Sequence, residues 1–132
     1  MPFLFDASAY MRVLVDGDFA RAAEPALRRL APTMYLSSAV RAELTQGARG
    51  SSGRTLVDVL ARKLEQVGRT VSPSHDDWLR AATRQSELWD TIPRLRTKQL
   101  LHDFLIAAAA RRIGAHLVTD NEGDFAIIDR WV

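Results

Sequence analysis

Apolar positions in this chain fall into two patterns that alternate from one end to the other. Short apolar runs at Phe3-Leu4-Phe5, Met34-Tyr35-Leu36, Thr70-Val71, His116-Leu117-Val118 and Ala126-Ile127-Ile128 have the length and residue types of buried strands. Between them, apolar residues recur every three or four positions, the period of a helix. Helices are expected over residues 7–14, over 19–30 where Ala31-Pro32 closes the run, over 39–47 after the capping serines Ser37-Ser38, and over 55–67 ahead of Gly68. In the last of these, Leu56, Val59, Leu60, Leu64 and Val67 are read as one apolar face. Ser74 with Asp77 three positions on has the pattern of a capping box, and the helix it opens carries Trp78, Leu79, Ala82, Leu88 and Trp89 as expected core. The stretch from Leu100 to Gly114 is apolar nearly all round, so it belongs in the middle of the domain.

Strands alternating with helices of this length imply an α/β fold: a three-layer α/β/α domain with a mainly parallel central sheet of four to five short strands, residues 1–132 forming one unit. Ligands of such sheets gather at the carboxyl ends of the strands. Asp6 and Ser8 follow the first strand, Glu43 lies just after the second, Asp120 to Asp124 follow the fourth, and Asp103 opens the central helix. Each acid taken singly has an ordinary explanation. Asp6 or Ser8 could cap a helix, Glu43 could favour a helix dipole, and Asp103 could pair with an arginine. A carboxylate in a buried helix costs several kcal/mol unless a cation, donors or water compensate it, and together the acids repel one another, so the arrangement calls for divalent cations. Hard oxygen ligands select Mg²⁺ or Mn²⁺.

Composition narrows the chemistry further. With no cysteine, thiol nucleophiles, disulfides and sulfur-bound zinc are excluded. No apolar run is long enough for a membrane span, and the first residues lack the basic and long apolar regions of a signal peptide, so a cytoplasmic site of action is expected. Sixteen of the 18 basic residues are arginine, whose planar fork suits phosphate, although a GC-rich genome also enriches arginine. Gly47-Ala48-Arg49-Gly50-Ser51-Ser52-Gly53-Arg54 lacks the lysine and following Ser/Thr of a phosphate-binding loop and is expected to be a flexible connection. Ile92-Pro93-Arg94-Leu95-Arg96-Thr97-Lys98 is a basic linker into the Asp103 helix. His75, His102 and His116 are read as structural or surface residues, His102 because it lies about 100° round the helix from Asp103.

The pieces Phe3-Leu4-Phe5-Asp6-Ala7-Ser8, Ser38-Ala39-Val40-Arg41-Ala42-Glu43-Leu44, and His102-Asp103-Phe104-Leu105-Ile106-Ala107-Ala108-Ala109-Ala110 running through Gly114 to Phe125 resemble PIN domains in order, spacing and total length. Among those, the chain is similar to the VapC-type toxins of bacterial toxin–antitoxin pairs. The resemblance implies a Mg²⁺-dependent ribonuclease with Asp6, Glu43 and Asp103 as its first three acids. The fourth is open between Asp124, which falls on the family's Asp-Phe position, and Asp120, which falls on a variable one. Thr119 and Asn121 fall on the family's Thr-x-Asn/Asp pattern, and Ser8 and Thr119 would orient the acids through their hydroxyls. The resemblance also implies a homodimer and an antitoxin whose apolar C-terminal segment lies over the acidic groove.

Arg94, Arg96 and Lys98 are expected to hold the RNA backbone at the rim, because an acidic cleft repels a polyanion. Two other classes compete with the nuclease. A receiver-type signalling domain would want paired acids after the first strand and a phosphoacceptor Asp after a middle strand, and neither is present. A non-catalytic RNA- or protein-binding module with a degenerate metal site remains open.

Overall fold

The computed structural model describes residues 1–93, 98–121, 123 and 125, with the side chains of Lys98 and Gln99 excepted. The expected strand at Ala126-Ile127-Ile128 lies outside the described residues. Four strands form one parallel sheet in the order β3-β2-β1-β4: β1 is Phe3–Phe5, β2 Met34–Ser37, β3 Thr70–Val71 and β4 His116–Val118. In register, Leu4 lies between Tyr35 and Leu117 and is fully buried. The helices are α1 Ala7–Val15, α2 Gly17–Leu30, α3 Ser38–Gly47, α4 Gly50–Gln66, α5 His75–Trp89 and α6 Lys98–Arg112. This is a three-layer α/β/α arrangement.

Chain order runs outward from β1 through β2 to β3, and β4 then returns to the other side of β1. The direction of winding therefore reverses between β1 and β4, which makes their carboxyl ends the topological switch point where doubly wound sheets open a crevice. Asp6 is the first residue past β1 and Thr119 the first past β4, and Asp6 N–H donates to Val118 O at 3.0 Å.

The centre of the core is α6, whose Phe104, Leu105 and Ile106 are all fully buried. Three consecutive buried residues cannot share one face of a helix, so α6 is covered on several sides, by α5, α3 and β4. Two of the helices that lead into a strand, α4 into β3 and α6 into β4, stop in the same way. Gly68 and Gly114 adopt positive φ (71° and 67°). Arg69 N–H reaches back to Leu64 O at 2.9 Å and Ala115 N–H to Ala110 O at 2.8 Å, each one residue past its glycine. That six-to-one bond is the Schellman stop, and the left-handed residue it needs is cheapest as glycine. The predicted capping box at Ser74 and Asp77 forms, and Arg112 fastens α6 to it through Asp77 Oδ2 at 3.0 Å and Ser72 O at 2.8 Å.

Three sequence expectations need correction. The glycine-rich run is not all loop: α4 begins at Gly50, held against α3 by Arg41, which pairs with Asp58 at 2.8 Å and approaches Glu65 at 3.9 Å. Tertiary contact here outweighs low intrinsic propensity. The apolar face of α4 is rotated from the expected one, with Val57, Ala61 and Leu64 buried while Leu56, Val59 and Val67 are exposed. In α5 the buried residues are Asp77, Ala81, Gln85 and Leu88, and Trp78 and Leu79 face outward.

Tyr10 is buried beside Phe5, and its hydroxyl finds no hydrogen-bond partner among the described residues. Burial pushes its pKa up, so the phenol stays neutral. An orphaned buried hydroxyl is a net cost, and Tyr10→Phe is expected to stabilise the protein by about 1 kcal/mol, read in urea denaturation as a higher midpoint at unchanged slope.

Candidate active site at the switch point

Asp6 enters the site because β1 ends where α1 must be capped. Its Oδ1 accepts from Ala9 N–H at 2.9 Å, so the same carboxylate starts the helix and sits over the sheet. Ser8 Oγ donates to Asp6 at 2.8 and 2.9 Å from its two oxygens, and Thr119 Oγ1 donates to Oδ2 at 2.5 Å. The Asp6 carboxylate is therefore fixed from both switch-point strands while only 4% exposed. Thr119 in turn accepts from Asn121 N–H at 2.8 Å, and Ser8 Oγ accepts from Asp120 N–H at 3.1 Å. Ser8 and Thr119 thus orient an acid, as their position in the chain suggests, while Asn121 contributes its backbone.

Glu43 comes from α3, whose start is capped by Ser37 Oγ accepting from Ala39 N–H at 3.2 Å. Among the described residues its buried Oε1 has no well-aligned hydrogen-bond partner. Burial raises the Glu43 pKa; the nearby His102 ring opposes that rise and the Asp6 charge adds to it. An acceptor with no aligned donor, close enough to a second buried carboxylate to feel its charge, is the electrostatic setting of a cation site. Asp103 stands half-buried in α6 one residue after His102, where α6 packs on α3.

Asp120 is arranged differently. Its carboxylate pairs with Arg12 at 3.0 Å, and Arg12 also stacks over the Phe19 ring at 4.1 Å from its centroid. Ser8 and Arg12 are four residues apart on α1, so one face of that helix holds both the amide and the carboxylate of Asp120. Asp124, Arg94 and Arg96 lie outside the described residues, as does the side chain of Lys98, whose backbone begins α6. Among the described residues no three acidic or histidine side chains stand close enough to complete a metal site. Asp6 and Glu43, near enough for the charge of one to act on the other, offer the hard oxygen donors that fit a divalent cation.

Two residues of this site were not identified from the sequence. His102, expected to be a structural or surface residue, stands partly exposed with its Nδ1 3.3 Å from Glu43 Oε1. The signal was the lack of any basic residue three or four positions from Glu43 on its own helix, which meant that its partner had to come from elsewhere. Arg12 was readable from its spacing to Ser8, but nothing local linked it to Asp120, 108 residues away.

An apolar cavity of about 180 Å³ opens between α1 and α2 next to Asp120, lined by Phe5, Val13, Phe19, Leu27, Leu30 and Val118 among others. No helix among the described residues is long and apolar enough to cross a membrane.

Comparison with known proteins agrees with this architecture. A chain of the VapBC2 structure from Rickettsia felis, bound to a promoter DNA fragment, superposes with a TM-score of 0.70 at 21% identity, covering 100% of this chain and 96% of that one. A chain of DNA-bound VapBC from Salmonella typhimurium gives 0.65 at 18% identity, with 96% and 91% covered. A chain of FitAcB from Neisseria gonorrhoeae gives 0.61 at 21% identity, with 96% and 93% covered. No curated protein sequence matches. The PIN domain family profile matches residues 3–130, essentially the whole chain, and the protein is therefore a member of the PIN domain family.

Proposed function

We propose that this protein is a Mg²⁺-dependent endoribonuclease, Mn²⁺ being the alternative metal, and that it is the toxin of a VapC-type toxin–antitoxin pair. The observation that carries the reading is that buried Asp6 and partly buried Glu43 lie near enough for the charge of one to act on the other, at the switch point of a PIN-family sheet. Asp6, Glu43, Asp103 and a fourth acid would hold the cation. A bound divalent metal lowers the pKa of a water and offsets charge on a phosphodiester. The chain's own part is to keep that carboxylate set fixed. Ser8 and Thr119 hold Asp6 by hydroxyl donation, and the packed core of α6 carries Asp103. Because Arg12 engages Asp120, Asp124 takes the fourth place in this reading.

The antitoxin and homodimer belong to the same proposal. The similar structures are toxin–antitoxin complexes by their names, and the apolar cavity between α1 and α2 suits an apolar segment of such a partner. The site of action is taken to be the cytoplasm, where RNA and antitoxin are found together. Expression in a bacterial host tests the reading. Growth should stop and new RNA 5′ ends appear, Asp103→Asn should remove both effects, and co-expression of the neighbouring gene should restore growth. Unimpaired growth with intact RNA at a high level of folded protein would favour the non-catalytic binding module instead.

Arg94, Arg96 and Lys98 are proposed to hold the RNA backbone beside this site. Replacing Arg94 and Arg96 by Ala should weaken RNA binding and flatten the log–log salt dependence by roughly 0.7 per lost contact on a single strand, with metal affinity unchanged. Filter binding across a salt series reads this directly, and an unaltered slope would send the RNA path toward Arg41, Arg49 and Arg54.

A further inference from the structure

The His102–Glu43 contact is not used in the reading above. Glu43 lies near enough to Asp6 to feel its charge, and like charges push each other apart. Asp6 cannot yield, because Ser8, Thr119 and the Ala9 amide hold it. Glu43 has no comparable tether. Its side chain is 23% exposed, so a route to solvent exists, and among the described residues no well-aligned hydrogen bond holds Oε1. What faces that oxygen is the imidazole of His102, 3.3 Å away through Nδ1, on a helix whose next three residues after Asp103 are fully buried. The ring is thus carried by one of the most firmly packed segments of the domain. Neutral imidazole protonated on Nδ1 is a donor, so the arrangement needs no charge on the ring. The pair is close but unaligned, and contacts of this kind commonly tighten when a site is loaded.

We propose that His102 is a positioning residue: its Nδ1–H holds Glu43 Oε1 so that the Glu43 carboxylate stays beside Asp6 in readiness for the cation. The inference rests on the metal-site reading and deepens it. Groups that hydrogen-bond a ligating carboxylate typically contribute 10–100-fold to metal affinity by fixing the ligand in advance.

The test uses the donor's position rather than its mere presence. In His102→Asn the amide nitrogen falls close to where Nδ1 lies, whereas in His102→Gln it is displaced by one bond at similar size. His102→Ala removes the donor. Mn²⁺ titration by calorimetry on the purified full chain, with RNA cleavage at saturating Mn²⁺ on the same samples, separates positioning from catalysis. The expected result is a Kd about 10–100-fold weaker for His102→Ala and His102→Gln, recovery in His102→Asn, and cleavage at saturating metal within several-fold of wild type throughout. Wild-type Mn²⁺ affinity in His102→Gln or His102→Ala, or weak binding in a folded His102→Asn, would overturn the role of His102 alone. The Asn and Gln pair decides the question even if the alanine variant does not fold. Absence of Mn²⁺ binding by the wild type would overturn the metal site and the role of His102 with it.

Discussion

Glu43→Gln is expected to abolish RNA cleavage and, in the same protein freed of metal, to raise the melting temperature. Loss of a metal-ligating charge removes several kcal/mol of transition-state stabilisation, about 10³-fold in rate or more. The gain in stability comes from the cost that the wild-type carboxylate carries. Glu43 keeps a buried oxygen with no well-aligned donor among the described residues and feels the charge of Asp6, and its folded-state pKa is raised above the unfolded value, burial being the largest cause. A raised carboxyl pKa means that the native state binds more protons than the unfolded state around that pKa, so this group's contribution to stability is lost as pH rises from the unfolded value of about 4.5 through the folded one. Neutral glutamine has no such term. The melting temperature of metal-stripped Glu43→Gln should therefore exceed that of wild type by about 4 °C at pH 7, and the gap should close toward pH 4. A core role for Glu43 without metal would instead make the variant less stable at both pH values.

The fourth acid gives the second large effect. Asp124→Asn should lower cleavage by about 10³-fold, the scale of losing a ligand charge, whereas Asp120→Asn should leave cleavage within several-fold of wild type. Asp120 already spends its charge on Arg12 in an exposed pair, and such pairs contribute about 0–1 kcal/mol. Parallel cleavage rates for the two variants at saturating Mg²⁺ read the difference. Equal losses in both would mean that Arg12 releases Asp120 to the site.

The sheet and the acids at its edge were legible because they depend on local rules. A short apolar run followed by Asp and a helical period has few meanings, and β1, Asp6 and α1 appear where that pattern places them. Gly68 and Gly114 likewise announce their stops. What could not be read locally is the phase of a helix against its neighbours. In α4, Leu56 and Val59 looked as core-like as Val57 and Ala61, and the α3 contact through Arg41 selects the smaller pair for burial. The same limit hid His102. Its angular distance from Asp103 is real, but α6 is packed on several sides, so a residue off one face, though partly open to solvent, also reaches another element, here Glu43 of α3. Tyr10 is a further case, since no local rule reveals that its buried phenol lacks a partner among the described residues.

The central claim, that the switch-point acids serve metal-dependent hydrolysis of RNA, is tested most directly by following an end-labelled RNA with EDTA-stripped protein while Mg²⁺ is titrated back. The account predicts no new RNA ends without metal, saturable cleavage as Mg²⁺ is added, and none at any Mg²⁺ concentration with Glu43→Gln. Cleavage that persists in EDTA, or wild-type cleavage by Glu43→Gln, would contradict it.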